Sequence, residues 1–199
     1  MIKTIIFDLG NVIVNVDWKN FYKRIAEDSG RTLDYIKKYH QNSADRKNFE
    51  KGKIDSVEFY RRVAEDLSLR MSFGEFKKCY CNIFTLNSDV ANLIKKLKKN
   101  FRLILLSNTD ALHFEFARKK YRIIGIFDEH VLSYEVGYSK PNPLIFLEAI
   151  KKSKTLPFSC AYFDDIAKFI YTARLMGIRA FQFRDYEKLV NDLSNAKVL

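Results

Sequence analysis

The apolar positions along this chain follow two different periods, and the change from one to the other divides it into segments. Short runs rich in β-branched and aromatic residues occupy positions 4–9, 103–107, 125–131, 160–163 and 179–183. Each is short for a helix and is bounded by polar or turn-forming residues, so these runs predict strands buried on both faces. Between them, apolar residues recur at helical spacing over positions 88–99, 110–121, 143–152, 166–176 and 186–195. That regular alternation predicts a parallel sheet with helices on both faces, a doubly wound α/β fold of Rossmann-like type.

Positions 18–86 break the pattern. They read as successive amphipathic helices with no convincing strand among them, so we expect a helical subdomain, residues 18–86, inserted into a core built from residues 1–17 and 87–199. Helix starts inside it are marked by two capping boxes, Asp55-Ser56-Val57-Glu58 and Ser72-Phe73-Gly74-Glu75. Trp18, Phe21, Tyr22, Phe59 and Tyr60 recur at helical spacing, which suits packing within this insertion. The junctions near Asp17 and Asn87 are poor in Gly and Pro and predict hinged connections rather than long linkers.

In a parallel sheet, ligands bind in the crevice at the carboxyl ends of the strands, so polar residues that end a strand are the candidates for chemistry. Four clusters qualify. Asp8 ends the first strand and is followed at once by Gly10 and Asn11, residue types that tolerate tight backbone turns. Ser107, Asn108 and Thr109 place hydroxyl and amide donors after a Leu-Ile-Leu-Leu run. Lys140 stands just before the proline-marked helix start at Pro143, and the adjacent carboxylates Asp164 and Asp165 close a fourth strand. Together they make a consistent set: a carboxylate able to attack, small donors and a lysine for phosphate oxygens, and further carboxylates for a hard cation.

Composition narrows the function classes. A chain of 199 residues, 47% hydrophobic and 30% charged, can bury a sizeable core and is not disordered. No apolar run approaches the ~18 residues of a membrane span, so we expect neither leader nor anchor. Three cysteines, Cys79, Cys81 and Cys160, are an odd number without Cys-x-x-Cys spacing, which predicts reduced thiols and a cytoplasmic setting rather than disulfides or zinc. The net charge of +11 biases the surface towards anions. Its lysines, such as Lys95, Lys96, Lys98 and Lys99, follow solvated helix faces rather than an aromatic-interleaved stripe, which points to small phosphorylated molecules over nucleic acid. His40, His113 and His130 lack ligand spacing and read as packing residues.

The four clusters, in this order, resemble the signature motifs of the haloacid dehalogenase-like hydrolases. FDLGNVIV is similar to the first motif of a subgroup that contains sugar-phosphate phosphatases and the phosphatase domain of soluble epoxide hydrolases. SNTD resembles the second motif, Lys140 in GYSKPNP the third and FDDI the fourth, and the insertion matches the position of a type 1 cap. The resemblance implies a Mg2+-dependent phosphatase in which Asp8 attacks phosphorus to form an aspartyl-phosphate. It also implies metal ligation by Asp8, Asp165, Asp164 and the backbone carbonyl of Gly10, and phosphate contacts from Ser107, Asn108 and Lys140. The substrate implied is a small phosphorylated metabolite, with sugar phosphates as candidates.

Two positions depart from the family pattern. Gly10 stands where those phosphatases usually carry an aspartate that serves as general acid and base, and Phe169 stands where an asparagine is usual. Loss of general acid-base help slows a reaction by ~10²- to 10⁴-fold. Asp17, on the flap after the first strand, is a candidate substitute, but its position reads first as a cap for the helix that begins near Trp18. The departures motivate an alternative, a catalytically weak protein of the same fold that binds a phosphorylated ligand or a macromolecule. A haloacid dehalogenase is a lesser alternative, disfavoured by the retained Asp164-Asp165 pair.

Overall fold

The computed structural model describes residues 1–199. The chain opens with β1 (Thr4–Phe7), turns back through β2 (Val14–Val16), and then runs through α1 (Lys19–Ser29), α2 (Leu33–Asn42), α3 (Ala44–Phe49), α4 (Ser56–Leu67) and α5 (Phe73–Cys81). It returns by β3 (Phe84–Leu86), and strand and helix then alternate. This part comprises α6 (Ser88–Leu97), β4 (Arg102–Ser107), α7 (Ala111–Lys120), β5 (Glu129–Leu132), α8 (Ser133–Val136), α9 (Pro143–Ser153), β6 (Cys160–Asp164), α10 (Ala167–Leu175), β7 (Arg179–Gln182) and α11 (Tyr186–Asn195).

Five strands form one parallel sheet in the order β5-β4-β1-β6-β7, as the alternating pattern predicts for a doubly wound fold. Successive strand residues point to opposite faces. Ile5, Phe7, Leu103, Leu105, Ala161 and Phe163 therefore face α6, α7 and α11, while Ile6, Ile104, Leu106 and Tyr162 pack on Ile145, Phe146, Ile170 and Ala173 of α9 and α10. Register places Phe7 opposite both Leu105 and Phe163, so the polar residues that follow each strand emerge side by side at one edge of the sheet.

The strand expected over 125–131 is shorter and later. Residues Arg122–Ile126 form a 3-10 turn whose Ile123 and Ile124 are buried against the core, and pairing with β4 begins only at Glu129. The expectation of no strand within 18–86 also needs correction, because β3 pairs antiparallel with β2 across Val14–Leu86 and Val16–Phe84. Three residues are too few to display a period, and only the long-range partner reveals them.

Local chemistry accounts for the helix starts in the insertion. Ser72 and Glu75 form a complete capping box, whereas Asp55 caps Val57 and Glu58 alone, since the Glu58 carboxylate is taken by Arg61 and Arg62. Asp17 accepts a hydrogen bond from the Lys19 backbone at 2.9 Å and lies outside the cleft, so it serves the start of α1. Trp18 packs with Phe21, His40, Tyr80 and His113, and the buried apolar residues of the insertion are continuous with those of the α7 side of the sheet. A buried polar link crosses the same junction. Tyr80 on α5 donates to Asp110 at 3.0 Å, and Asp110 also faces Nδ1 of His113 at 2.7 Å.

The turn after α3 is fixed to the sheet side by close backbone contact. Gly52 adopts φ 65°, and a Cβ there would stand 2.0 Å from the carbonyl oxygen of Tyr134 on α8. Only glycine meets both conditions. Gly52→Ala is therefore expected to lower the unfolding free energy by at least about 1–3 kcal/mol, the cost of a strained left-handed residue, with the clash added. Chemical denaturation measures it, and a variant within ~0.5 kcal/mol of the native protein would contradict this docking.

Candidate active site

The sheet's register gathers the predicted polar residues. Asp8 follows directly on β1 and donates its backbone N–H to Phe163 at 3.0 Å, which seats it beside Asp164, the last residue of β6. Ser107 ends β4, and Asn108 follows it. After Asp8 the chain turns sharply, with the Leu9 carbonyl accepting from both Ile13 and Val14. The left-handed residue of this turn is Asn11, with φ 55°. Gly10 needs no special conformation, and a Cβ at that position would meet only the Val16 side chain at an ordinary 3.5 Å.

Lys140 reaches this edge from the loop between α8 and α9. Its side chain is 1% exposed, and its ammonium lies 2.9 Å from Asp8 Oδ1 and 2.6 Å from Asp164 Oδ2 and donates to the Leu106 carbonyl at 3.1 Å. Three acceptors satisfy its three protons. Burial alone would lower its pKa, but Asp8 and Asp164 together hold it above the usual lysine range. The Asn108 side chain clamps the loop from both sides, accepting from the Lys140 N–H at 2.7 Å and donating to its carbonyl at 2.9 Å. Phe169 stands with its ring 5.1 Å from the ammonium, so this position supports Lys140 through the π face instead of an amide.

The two adjacent aspartates differ in environment. Asp164 is fully buried, with one oxygen shared by Lys140 and the Tyr162 hydroxyl and the other accepting the Ile166 N–H at 2.9 Å. Asp165 is half-buried, accepts only from Asn11 at 3.1 Å through its Oδ2, and lines the cleft with Asp8. Ligand oxygens of Asp8, Asp164 and Asp165 lie within 4.8 Å of one another. Three carboxylates thus face one ammonium, which leaves negative charge uncompensated in a buried place. Burial, reinforced by Asp164, raises the Asp8 carboxyl to about 7 despite the pull of Lys140, and burial likewise raises Asp165. An all-oxygen set with surplus negative charge fits a hard divalent cation.

Above these residues is a cleft of about 290 Å³, lined by Asp8, Gly10, Asn108, Lys140, Asp165 and Phe169 from the sheet side and by Arg46 and Glu50 from the insertion. That volume lies at the lower edge of the ~300–1,000 Å³ typical of small-molecule pockets. A second chamber of about 140 Å³ contains Ser107 and shares Gly10, Asn108, Arg46 and Glu50 with the first. Asp8, Gly10, Asn108, Lys140 and Asp165 thus line the first cleft, Gly10, Ser107 and Asn108 line the second, and Asp164 supports Lys140 from behind. Arg46 and Glu50 were missed because an i,i+4 ion pair on a short helix reads as surface decoration. The turn signal Gly52 just beyond Glu50 was the available clue. The three histidines are packing residues, with His113 on Asp110 and His130 against the Ile124 carbonyl.

Comparison with known proteins fits this geometry. The family described as haloacid dehalogenase-like hydrolase matches residues 2–177. A D-ribitol-5-phosphate phosphatase of Bacteroides thetaiotaomicron is 31% identical over 194 residues, covering 92% of each chain. Among solved structures, a HAD family enzyme from the same organism, in complex with magnesium and inorganic phosphate, superposes with a TM-score of 0.85 at 24% identity, covering 95% of this chain and 99% of that one. A predicted HAD-like hydrolase from Porphyromonas gingivalis gives 0.84 at 22% identity, covering 97% and 98%. No helix of the chain is long and apolar enough to cross a membrane. With the family matched over most of its length and its strand-end residues gathered as described, the chain belongs to the haloacid dehalogenase-like hydrolases, as a phosphohydrolase.

Proposed function

We propose that this protein is a magnesium-dependent phosphatase for a small phosphorylated polyol or sugar, acting through an aspartyl-phosphate on Asp8, with residues 18–86 as the cap over its site. The observation that carries this reading is the cluster of three carboxylates around the single buried ammonium of Lys140. The 31% identical relative, named for D-ribitol 5-phosphate, supports the substrate class, and the modest cleft suits it.

The roles follow from environment. Asp8, Asp165 and the Gly10 carbonyl would hold the cation, while Asp164, whose oxygens are already engaged, orients Lys140 and adds negative charge nearby. Bound Mg2+ would neutralise repulsion between the Asp8 carboxylate and the phosphate and stabilise charge developing on the transferring group. Asp8 attacks phosphorus in line with the departing alcohol oxygen, and Lys140, fixed between two carboxylates, offers positive charge at the phosphoryl oxygens. Ser107 lines the chamber as a hydroxyl donor, and Asn108 acts chiefly by holding the Lys140 backbone.

Phosphate release from a panel of polyol and sugar phosphates is expected to require magnesium and to fall to background in Asp8→Asn. Release that persists in that variant would overturn the assignment of the nucleophile. Electrostatics gives a second test in metal-free buffer. Because Asp8 takes up its proton at about 7 when folded against 3.8 as a free side chain, the folded state binds more protons across that interval, and the Asp8 contribution to stability falls as pH rises from about 4 to about 7. The stability of Asp8→Asn relative to the native protein is therefore expected to grow across that window, and added magnesium to shrink the difference. Denaturation curves showing a difference that is flat with pH would contradict this account.

A further inference from the structure

Position 10, where the resemblance to the family leads one to expect the carboxyl that protonates the departing alcohol, is a glycine with no side chain. The insertion brings a carboxyl group to the same space. Glu50 follows the last residue of α3 and donates its backbone N–H to the Arg46 carbonyl at 2.8 Å, and the turn that follows is fixed against Tyr134 by Gly52. Glu50 lines both chambers, and so does Gly10, so the two residues border the same space.

We propose that Glu50 is the general acid and base of this enzyme, supplied from the insertion in place of a side chain at position 10. The proposal rests on the phosphatase reading above. In the first step an Asp8 oxygen forms a bond to phosphorus as the ester P–O bond breaks, and its electron pair leaves with the alcohol oxygen, which takes the proton of the Glu50 carboxyl. In the second step the Glu50 carboxylate removes a proton from water as the water oxygen attacks phosphorus. The Asp8–phosphorus bond breaks, returning the Asp8 carboxylate and inorganic phosphate with Glu50 protonated again.

The surroundings of Glu50 suit the exchange of a proton. Its side chain is 22% exposed, and Arg46 engages Oε1 at 2.8 Å while Oε2 has no donor from the protein. Burial raises its pKa above the usual glutamate range, with the charge of Asp110 adding to the rise, and Arg46, His113 and Lys47 oppose it without cancelling it. A carboxyl shifted upward in this way carries a proton closer to neutral pH, where an acid-base catalyst works best. Arg46 also limits the conformations of the side chain, which keeps it over the cleft.

The test compares two esters in excess magnesium: the alkyl phosphate hydrolysed fastest in the panel above, starting with D-ribitol 5-phosphate, and p-nitrophenyl phosphate, whose phenolate departs without needing a proton. Because kcat/KM reports steps up to alcohol departure, Glu50→Gln is expected to lower it by ~10²- to 10⁴-fold for the alkyl ester and by less than about tenfold for the aryl ester. A Cβ at Gly10 meets only the Val16 side chain, at an ordinary 3.5 Å, which permits a rescue in which the double variant Glu50→Gln, Gly10→Asp regains at least about tenfold on the alkyl ester. An active native enzyme whose Glu50→Gln variant loses both esters equally, or neither, overturns the role of Glu50. A double variant no faster than Glu50→Gln alone overturns its action in the space shared with Gly10. Native protein that releases no phosphate from either ester overturns the phosphatase reading, and this proposal with it.

Discussion

The ammonium of Lys140, held between Asp8 and Asp164, is the constraint around which the rest of the site is arranged. A buried cation is tolerated only when its charge and every proton are matched, and here the matching groups come from three different strands. Asp8 follows β1, Asp164 ends β6, and the Leu106 carbonyl belongs to β4. They converge because the parallel register sets Phe7 level with Leu105 and Phe163. A slip of one residue in either pairing would turn alternate side chains to the opposite face and remove a partner from the ammonium. The packing of the sheet and the electrostatics of the site therefore specify the same register.

The helical insertion is bound to this arrangement more closely than hinges at Asp17 and Asn87 would suggest. Its aromatic residues share one apolar cluster with the sheet, and β2 and β3 close its base as a two-stranded ribbon. Gly52 brings backbone against backbone at Tyr134, which leaves no room for an intervening side chain. Close contact of this kind transmits position well, because it depends on no rotamer. The residues just before it, Arg46 and Glu50, are consequently delivered to the cleft with little freedom.

Most of the sheet was legible in the sequence because fully buried strands leave continuous apolar runs, as at β1, β4 and β6. The strand-end residues were legible for a related reason: Asp8, Ser107 and Asp164 each interrupt such a run with a polar group at its carboxyl end. Residues whose meaning depends on a distant partner were not. Nothing local distinguishes β3 from a loop, and nothing local shows that Phe169 would stand over Lys140. The division of labour between Asp164 and Asp165 was equally hidden, since one residue's difference in position decides which faces Tyr162 and Lys140 and which faces the cleft. The ambiguity of Gly10 had the opposite character. Its sequence context suggested a conformational need, yet the strained position in the turn is Asn11.

The distribution of carboxyl groups between sheet and insertion has an electrostatic logic. Residues that ligate a cation must be ionised to do so, and the positive charges of Lys140 and of the cation itself favour that state. A proton carrier has the contrary requirement, because it must hold its proton near neutral pH and release it during the reaction. On the insertion, Glu50 answers chiefly to burial and to one guanidinium, and burial prevails, raising its pKa above the usual glutamate range. Separating the two kinds of carboxyl onto different elements lets each environment push its own group in the direction its task needs, which is the pattern by which one fold runs acid and base chemistry at a single pH.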